Sequence, residues 1–118
     1  MRTIEEKIFE AFKAGKALKL TKRDAVELDG AKVVYRLWGS AVFSYDKERD
    51  AFFFSFCGWP SITTKSRIHA LLRSFGLGGV RQKNYRMVWF WDGGEMELDD
   101  RKIYEAKRSG SGLSLAEA

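Results

Sequence analysis

The chain contains only one cysteine, one proline and one histidine among its 118 residues. The single cysteine, Cys57, cannot form an intramolecular disulfide, and the single histidine, His69, has no partner at the spacing of a zinc site. The chain also lacks a run of about 18 apolar residues and a secretory leader. We therefore expect an intracellular, cytoplasmic protein with no membrane segment, no metal and no cofactor.

Asparagine and glutamine are also rare, since Asn84 and Gln82 are the only examples. Lysine, arginine and glutamate are plentiful by comparison. Proteins of hyperthermophiles are rich in these charged residues and poor in thermolabile ones. The composition therefore favours a hyperthermophilic source.

Positive charge exceeds negative charge, because the chain has 21 lysines and arginines and 16 aspartates and glutamates, for a net charge of +5. This balance suits an anionic partner such as DNA or RNA, and it also suits simple solubility. The apolar content of 45% indicates a folded chain, and the length indicates one domain. We assign residues 1–106 to this domain and expect residues 107–118, which begin with linker composition, to be a disordered tail.

The stretch from residue 59 to residue 76 predicts a central helix that follows a corner at Trp59 and Pro60. Its apolar residues recur at positions i, i+3, i+4 and i+7, namely Ile68, Leu71, Leu72 and Phe75. Thr63 or Thr64 can cap the start of this helix. Gly76 occupies the position at which a left-handed residue commonly ends a helix.

An N-terminal helix is predicted to begin at a capping box formed by Thr3 and Glu6, to run to about Lys13 and to end at Gly15. Strands are predicted at residues 17–20, 25–28, 31–38, 41–45, 51–57 and 95–98, and residues 80–85 and 86–91 form either one long bent strand or two. A flexible glycine-rich connector is predicted at 76–79 and a last helical turn through Tyr104. Most connections are too short for crossovers. We therefore predict the α+β class, with a single antiparallel sheet of five to seven strands and both helices packed on one face.

Two of the predicted strands are apolar on both faces. In residues 51–57, Phe52 and Phe54 share one face while Phe53 points to the other, and residues 86–91 alternate in the same way. Such strands need cover on both sides, which sheet curvature, another subunit or stacked ligands can provide. We favour core packing plus a homodimer interface over the stacking of nucleic-acid bases on exposed rings.

Three short runs resemble a segment that recurs in small uncharacterised proteins of phages, archaeal viruses and plasmids. The runs are Gly58-Trp59, Thr63-Thr64-Lys65-Ser66-Arg67 and Ala70-Leu71-Leu72. In that segment an asparagine usually occupies the position of His69, and a strand rich in valine and tryptophan follows, as residues 88–91 do here. The resemblance implies an origin in a virus or plasmid and a location in the host cell, and with the composition it favours an archaeal host. It transfers no catalytic residue.

A candidate nucleic-acid interface lies at the start of the central helix, where free amides and a partial positive charge can hold a phosphate. Lys65 and Arg67 flank the apolar stripe, and Arg73 lies on the solvent face. The full set of predicted nucleic-acid contacts is Thr63, Thr64, Lys65, Ser66, Arg67, Arg73, Arg81, Lys83 and Arg86. The ordinary alternative is a capped helix whose charges are merely solvated.

The remaining chemically interesting residues have ordinary explanations. His69 is predicted to be a surface residue, and Cys57 a small buried hydrophobe. Glu95, Glu97 and Asp99 alternate along one strand, which allows a divalent cation but is more typical of a half-exposed strand. No catalytic motif is present, so we expect no catalytic residue and no enzyme activity.

The leading functional hypothesis is a protein of a virus or plasmid that binds DNA or RNA without sequence specificity. The alternative is a protein-interaction or assembly module, a homodimer or a binder of a host protein, with no nucleic-acid role. A metal-dependent nuclease is a third possibility that no motif supports. A single basic face favours the first hypothesis, and scattered charge favours the second.

Overall fold

The computed structural model describes residues 3–59, 61–109 and 112–117. In these residues the chain forms two helices and ten strands. The helices are α1 (Ile4–Ala14) and α2 (Ile62–Ser74). The strands are β1 (Leu18–Lys19), β2 (Asp24–Asp29), β3 (Lys32–Leu37), β4 (Ser40–Asp46), β5 (Ala51–Phe54), β6 (Gly79–Lys83), β7 (Arg86–Trp91), β8 (Gly94–Glu97), β9 (Tyr104–Ser109) and β10 (Gly112–Glu117). Neither described helix is long and apolar enough to cross a membrane.

Helix α1 begins and ends where its sequence predicts. The Thr3 hydroxyl accepts a hydrogen bond from the Glu6 amide at 3.2 Å, which satisfies one of the free amides of the first turn. Gly15 adopts the left-handed conformation with φ 64°, and its amide donates to the Phe12 carbonyl at 3.3 Å. The predicted N-cap and the predicted stop are both confirmed.

Helix α2 begins before its two threonines. The Ser61 hydroxyl accepts a hydrogen bond from the Thr64 amide at 3.1 Å and lies 2.9 Å from the Thr64 hydroxyl. The prediction that Thr63 or Thr64 caps the helix is wrong, because both residues already lie in its first turn. Gly76, with φ 72°, follows the helix and donates its amide to a carbonyl of the last turn, as predicted.

The strands form two antiparallel sheets. The larger sheet has the order β1-β2-β3-β4-β5-β9-β10, and the smaller sheet has the order β6-β7-β8. The α+β class and the antiparallel pairing are confirmed, but the strands divide between two sheets where the sequence predicted one. The reason is that β9 occupies the edge of β5, where Phe53 lies opposite Glu105, so β6, β7 and β8 pair with one another.

The last part of the chain differs from its prediction. Tyr104, expected in a last helical turn, begins β9, and its hydroxyl accepts a hydrogen bond from the Asp99 amide at 2.7 Å. Residues 107–109 and 112–117 of the predicted disordered tail lie in β9 and β10, which pair with each other, and β9 continues across the predicted domain boundary at residue 106. Serine and glycine are typical of hairpin turns as well as of linkers. Residues 110, 111 and 118, like Pro60 of the predicted corner, lie outside the described residues.

Both helices and the smaller sheet lie on the same face of the larger sheet. The ring of Phe43 in β4 lies 5.7 Å from Phe12 of α1 and 6.3 Å from Phe75, just after α2. On the neighbouring strand Phe54 lies directly beside Phe43 and packs edge-on against Trp89 of β7 at 4.6 Å. The predicted packing of both helices on one face is confirmed.

The second apolar face of each aromatic strand carries an arginine. The Arg49 guanidinium lies 5.3 Å from the centre of the Phe53 ring, and the Arg81 guanidinium lies 5.0 Å from the centre of the Phe90 ring. At these distances cation–π attraction adds to packing. Two arginines of the chain itself therefore cover part of the second apolar face of these strands. The homodimer stays a prediction.

Candidate functional site

Arg67, a predicted phosphate contact, points inward. Its side chain is only 8% exposed, its Nε donates to Asp24 at 3.1 Å and its Nη1 donates to Glu5 at 2.7 Å. The neighbouring Ser66 hydroxyl donates to the same Glu5 carboxylate at 3.1 Å. Arg67 and Ser66 therefore join α2 to α1 and β2, and the charge of Arg67 is neutralised by two carboxylates. We remove both residues from the candidate nucleic-acid interface.

The Asp24 carboxylate is the centre of this buried network. Tyr35 donates its hydroxyl proton to one carboxylate oxygen, and the Thr21 hydroxyl donates to the other at 2.8 Å. Burial raises the pKa of Asp24, but the hydrogen bonds from Tyr35 and Thr21, together with Arg67, outweigh it and hold that pKa below its usual value. Burial and the bond to Asp24 raise the pKa of Tyr35. The network is therefore ionised at Asp24 and Arg67 at neutral pH.

The exposed side of α2 holds two predicted contacts, Lys65 and Arg73, four residues on either side of His69. The His69 ring is half-buried, and its Nδ1 accepts a hydrogen bond from the Val80 amide of β6 at 3.1 Å. Burial lowers the pKa of His69, and the positive charges of Arg73 and Lys65 lower it further. His69 was predicted to be a surface residue and is instead half-buried, because β6 runs along α2 and the Val80 amide donates to its ring.

The outer face of the smaller sheet holds the other three predicted cations. Lys83 of β6 lies opposite Arg86 of β7, and the Arg81 guanidinium covers the Phe90 ring, which lies 6.1 Å from His69. This chain of contacts connects α2 with the smaller sheet. We call the set formed by Lys65, Arg73, Arg81, Lys83 and Arg86 the basic strip.

Two glutamates interrupt the basic strip. Glu95 accepts from Arg81 at 2.8 Å and from Lys83 at 3.2 Å, and Glu97 accepts from Arg86 at 2.7 Å. The Arg81 and Lys83 hydrogen bonds lower the pKa of Glu95. The predicted alternation of acids along β8 is thus explained by ion pairs across the sheet. Within the described residues no group of three metal-ligating side chains was found.

A cleft of about 580 Å³ lies beside the start of α2, between the β3–β4 turn and the connection from β5 to α2. Two exposed rings line it, Trp38 at 71% exposure and Trp59 at 73%. The other lining residues are apolar side chains and hydroxyl-bearing or thiol-bearing ones: Leu37, Ser40, Val42, Phe56, Cys57, Ser61, Thr63 and Thr64. We call this site the Trp cleft. Its lining includes Thr63 and Thr64, the remaining two predicted nucleic-acid contacts.

Two tight turns hold the rings of the Trp cleft in the open. Trp38 has a positive φ of 52°, and its amide donates to the Arg23 carbonyl at 2.8 Å. Cys57 has a positive φ of 54°, and the Trp59 amide donates to the Phe56 carbonyl at 2.9 Å. Cys57 is exposed, so its prediction as a buried hydrophobe is wrong, because β5 ends at Phe54 and the strand alternation stops there.

The sequence analysis did not identify Trp38 and Trp59 as site residues. A signal was present, because each tryptophan is adjacent to a glycine, in Trp38-Gly39 and Gly58-Trp59. Glycine next to a large ring indicates a turn, and turns lie on the surface. What the sequence could not reveal is that the two turns, about twenty residues apart, line one cleft.

Positive charge also lies near the Trp cleft. Arg36 donates its Nη1 to the Gly39 carbonyl at 3.0 Å while its Nε pairs with Glu27 at 2.6 Å. The Arg23 side chain, whose backbone holds Trp38, pairs with Asp24 at 3.3 Å and remains 41% exposed. Lys65 of the basic strip follows Thr64 directly in the first turn of α2. None of the described residues that line the cleft is charged, and cations lie next to it.

One protein family, described as Kyanoviridae Gp96 protein, matches residues 1–108. No curated protein and no solved structure gave a significant match to the chain. The match confirms the predicted origin in a mobile element and identifies that element as a phage. It does not support an archaeal or hyperthermophilic source.

Proposed function

Because this chain belongs to the Kyanoviridae Gp96 protein family, a family of cyanophage proteins, we propose that it is a phage protein that binds nucleic acid without strong sequence preference. The proposal is a binding role rather than an enzymatic one. The candidate contacts are the basic strip and the adjoining Trp cleft, without Ser66 and Arg67.

The observation that supports this proposal is the continuity of the basic strip. The contacts of Arg81 with Phe90 and of Phe90 with His69 join the smaller sheet to α2, and the five cations of the strip outnumber its two glutamates. Lys65 and Arg73 have no ion pair among the described residues, so their charge is available to a phosphate. Contacts of this kind depend on the backbone and not on base identity.

The test measures the affinity for DNA and RNA oligonucleotides as a function of salt concentration. Each phosphate contact that is lost lowers the slope of log K against log salt by about 0.7 to 0.9. The double variant Lys65→Ala/Arg73→Ala should therefore bind more weakly and with a shallower slope. Lys32→Ala/Lys107→Ala is the matched control, because it removes the same charge from exposed positions on the larger sheet, and it should keep the parent slope.

Two outcomes would contradict the proposal. The parent protein does not bind DNA or RNA at low salt, or the Lys65→Ala/Arg73→Ala variant and its control show the same slope. In the second case the charge acts over the whole protein and the basic strip is not the contact surface.

The second candidate function is an assembly module, and two observations favour it. Positive charge is not confined to the basic strip, because Lys13, Lys16 and Lys19 lie around the end of α1 and in β1. Exposed tryptophans of the kind found in the Trp cleft are common at protein interfaces. A homodimer should then be seen by sedimentation at high micromolar concentration, and a monomer throughout that range would exclude self-assembly.

A further inference from the structure

We propose that the Trp cleft holds an unpaired base, so that the protein binds single-stranded DNA or RNA in preference to a duplex. This inference rests on the proposed nucleic-acid binding and adds the class of ligand. The site residues are Trp38 and Trp59, for which the sequence analysis had assigned no role.

The shape of the cleft suits a flat aromatic ligand. Two indole rings, each more than two-thirds exposed, line the same concave space over an apolar floor of Leu37, Val42 and Phe56. Nucleic-acid bases stack on aromatic side chains whatever their identity, because every base has a π face. A base inside a duplex is covered by its neighbours above and below, so only an unpaired base can enter.

The polar groups of the cleft suit a base edge. Ser40, Ser61 and Thr63, which carry hydroxyls, line it, and none of the described lining residues is acidic. A hydroxyl can donate or accept a hydrogen bond and rotates to suit, so it tolerates the differing edges of the four bases. This combination predicts little sequence preference.

The charge around the cleft favours a polynucleotide over an apolar peptide. Arg36 reaches the turn that carries Trp38, and Lys65 lies one residue beyond the lining residue Thr64. Phosphates on either side of a stacked base would then meet a cation. From Lys65 the basic strip continues along α2 to the smaller sheet, which provides a path for the rest of the strand.

The cleft is already formed in the free chain. The amides of Trp38 and Trp59 donate to the carbonyls of Arg23 and Phe56 at 2.8 and 2.9 Å, so each ring stands on a hydrogen-bonded turn. Binding to a preformed site costs less conformational entropy than binding that orders a loop.

The experiment compares a fluorescent 20-nucleotide dT strand with a blunt duplex of the same length at low salt, using Trp38→Ala, Trp59→Ala and Trp38→Phe. Stacking on one ring corresponds to roughly a 5- to 150-fold change in affinity. Each alanine variant should lose about that much affinity for the single strand, keep its salt slope and keep its duplex affinity. Trp38→Phe should recover most of the lost affinity.

Ile62→Ala is the matched control, because it removes another exposed apolar side chain, 80% exposed, that does not line the cleft.

Quenching of tryptophan fluorescence by the single strand provides a second measurement, which should decrease in both alanine variants. Equal affinity for strand and duplex, or single-strand affinity unchanged in both variants, would overturn the inference while leaving the proposed nucleic-acid binding intact. Absence of binding to either oligonucleotide would overturn both. If the alanine variants change only the sedimentation of the protein, the Trp cleft is an interface between copies of this chain and not a base site.

Discussion

Arg67 was predicted to be a solvent-exposed phosphate contact, and in the structure it forms a buried structural ion pair. On a helical projection it stands at the edge of an apolar stripe, where a cation usually extends into solvent. In the fold it is buried and is bound by carboxylates from two other elements. Burying charges is costly, so a pair of this kind adds little net stability, but removal of one partner leaves an uncompensated buried charge.

We therefore expect Arg67→Met to lower the free energy of unfolding by about 3–5 kcal/mol, because it removes the buried cation of Asp24 and leaves only the partly exposed Arg23 beside that carboxylate. Arg73→Met is the matched control on the same helix, and we expect no measurable loss there, since Arg73 is exposed. Urea denaturation measures both values. Equal midpoints for the two variants would show that the network does not contribute in this way.

The pKa of Asp24 leads to a prediction about acid. Its pKa in the folded chain lies below the ordinary value of 3.8, so its contribution to stability is fully present above that value and is lost as the pH falls through the folded pKa. Asp24→Asn should therefore be less stable than the parent at pH 7 and should lose less stability between pH 4 and pH 2, measured by urea denaturation. An acid loss of the same size in both proteins would exclude Asp24 as its source.

At the scale of single elements, the start of α2 offers two candidate N-caps, Ser61 and Thr63. Ser61 accepts the Thr64 amide, whereas Thr63 lies in the first turn. Ser61→Ala should therefore lower the free energy of unfolding by about 0.5–2 kcal/mol through the loss of the cap. Thr63→Ala should cost less than that, and a thermal denaturation series that ranks the two in the opposite order would place the cap at Thr63.

The connector after α2 is more constrained than its glycine content suggested. Gly78 has φ 90°, and a Cβ built there would lie 2.1 Å from the Phe90 carbonyl oxygen of β7. Gly39 has φ 81° and open space around it, so Gly39→Ala is the matched control that tests the backbone conformation without a steric clash. The left-handed conformation alone costs about 1–2 kcal/mol for a residue with a side chain. Gly78→Ala should cost clearly more than Gly39→Ala in denaturation experiments, because β7 must also move. Equal costs would mean that the close approach relaxes freely.

At the scale of the whole molecule, the core is built from the larger sheet, both helices and the smaller sheet together. Phe54 is 1% exposed and contacts Trp89, and Leu71 of α2 is fully buried. Phe54→Ala or Leu71→Ala should lower the free energy of unfolding by about 2–5 kcal/mol. Leu28→Ala makes the same chemical change as Leu71→Ala at a half-exposed position, and it should change the free energy of unfolding far less. A parent-like melting temperature for Phe54→Ala or Leu71→Ala would contradict its place in the core.

The sequence by itself determined the features that depend on nearby residues. The Thr3 cap, the Gly15 stop and the apolar stripe of α2 each need only contacts within a few positions, and each was found where it was predicted. The hairpin of β2 and β3 is also a local feature, but its two turn residues are Gly30 and Ala31, because Asp29 still pairs with Lys32 and only Gly30 has a positive φ, of 60°. Local backbone preference and hydrophobic periodicity are sufficient for such features.

The tertiary structure alone decided the features that join distant parts of the chain. Arg67 meets carboxylates 43 and 62 residues away, and β9, rather than β6, β7 or β8, pairs with the edge of β5. Trp38 and Trp59 converge because two separate turns end beside the start of α2. The physical reason is that such contacts depend on which surfaces remain free once the core has packed, and no local pattern of residues encodes that choice.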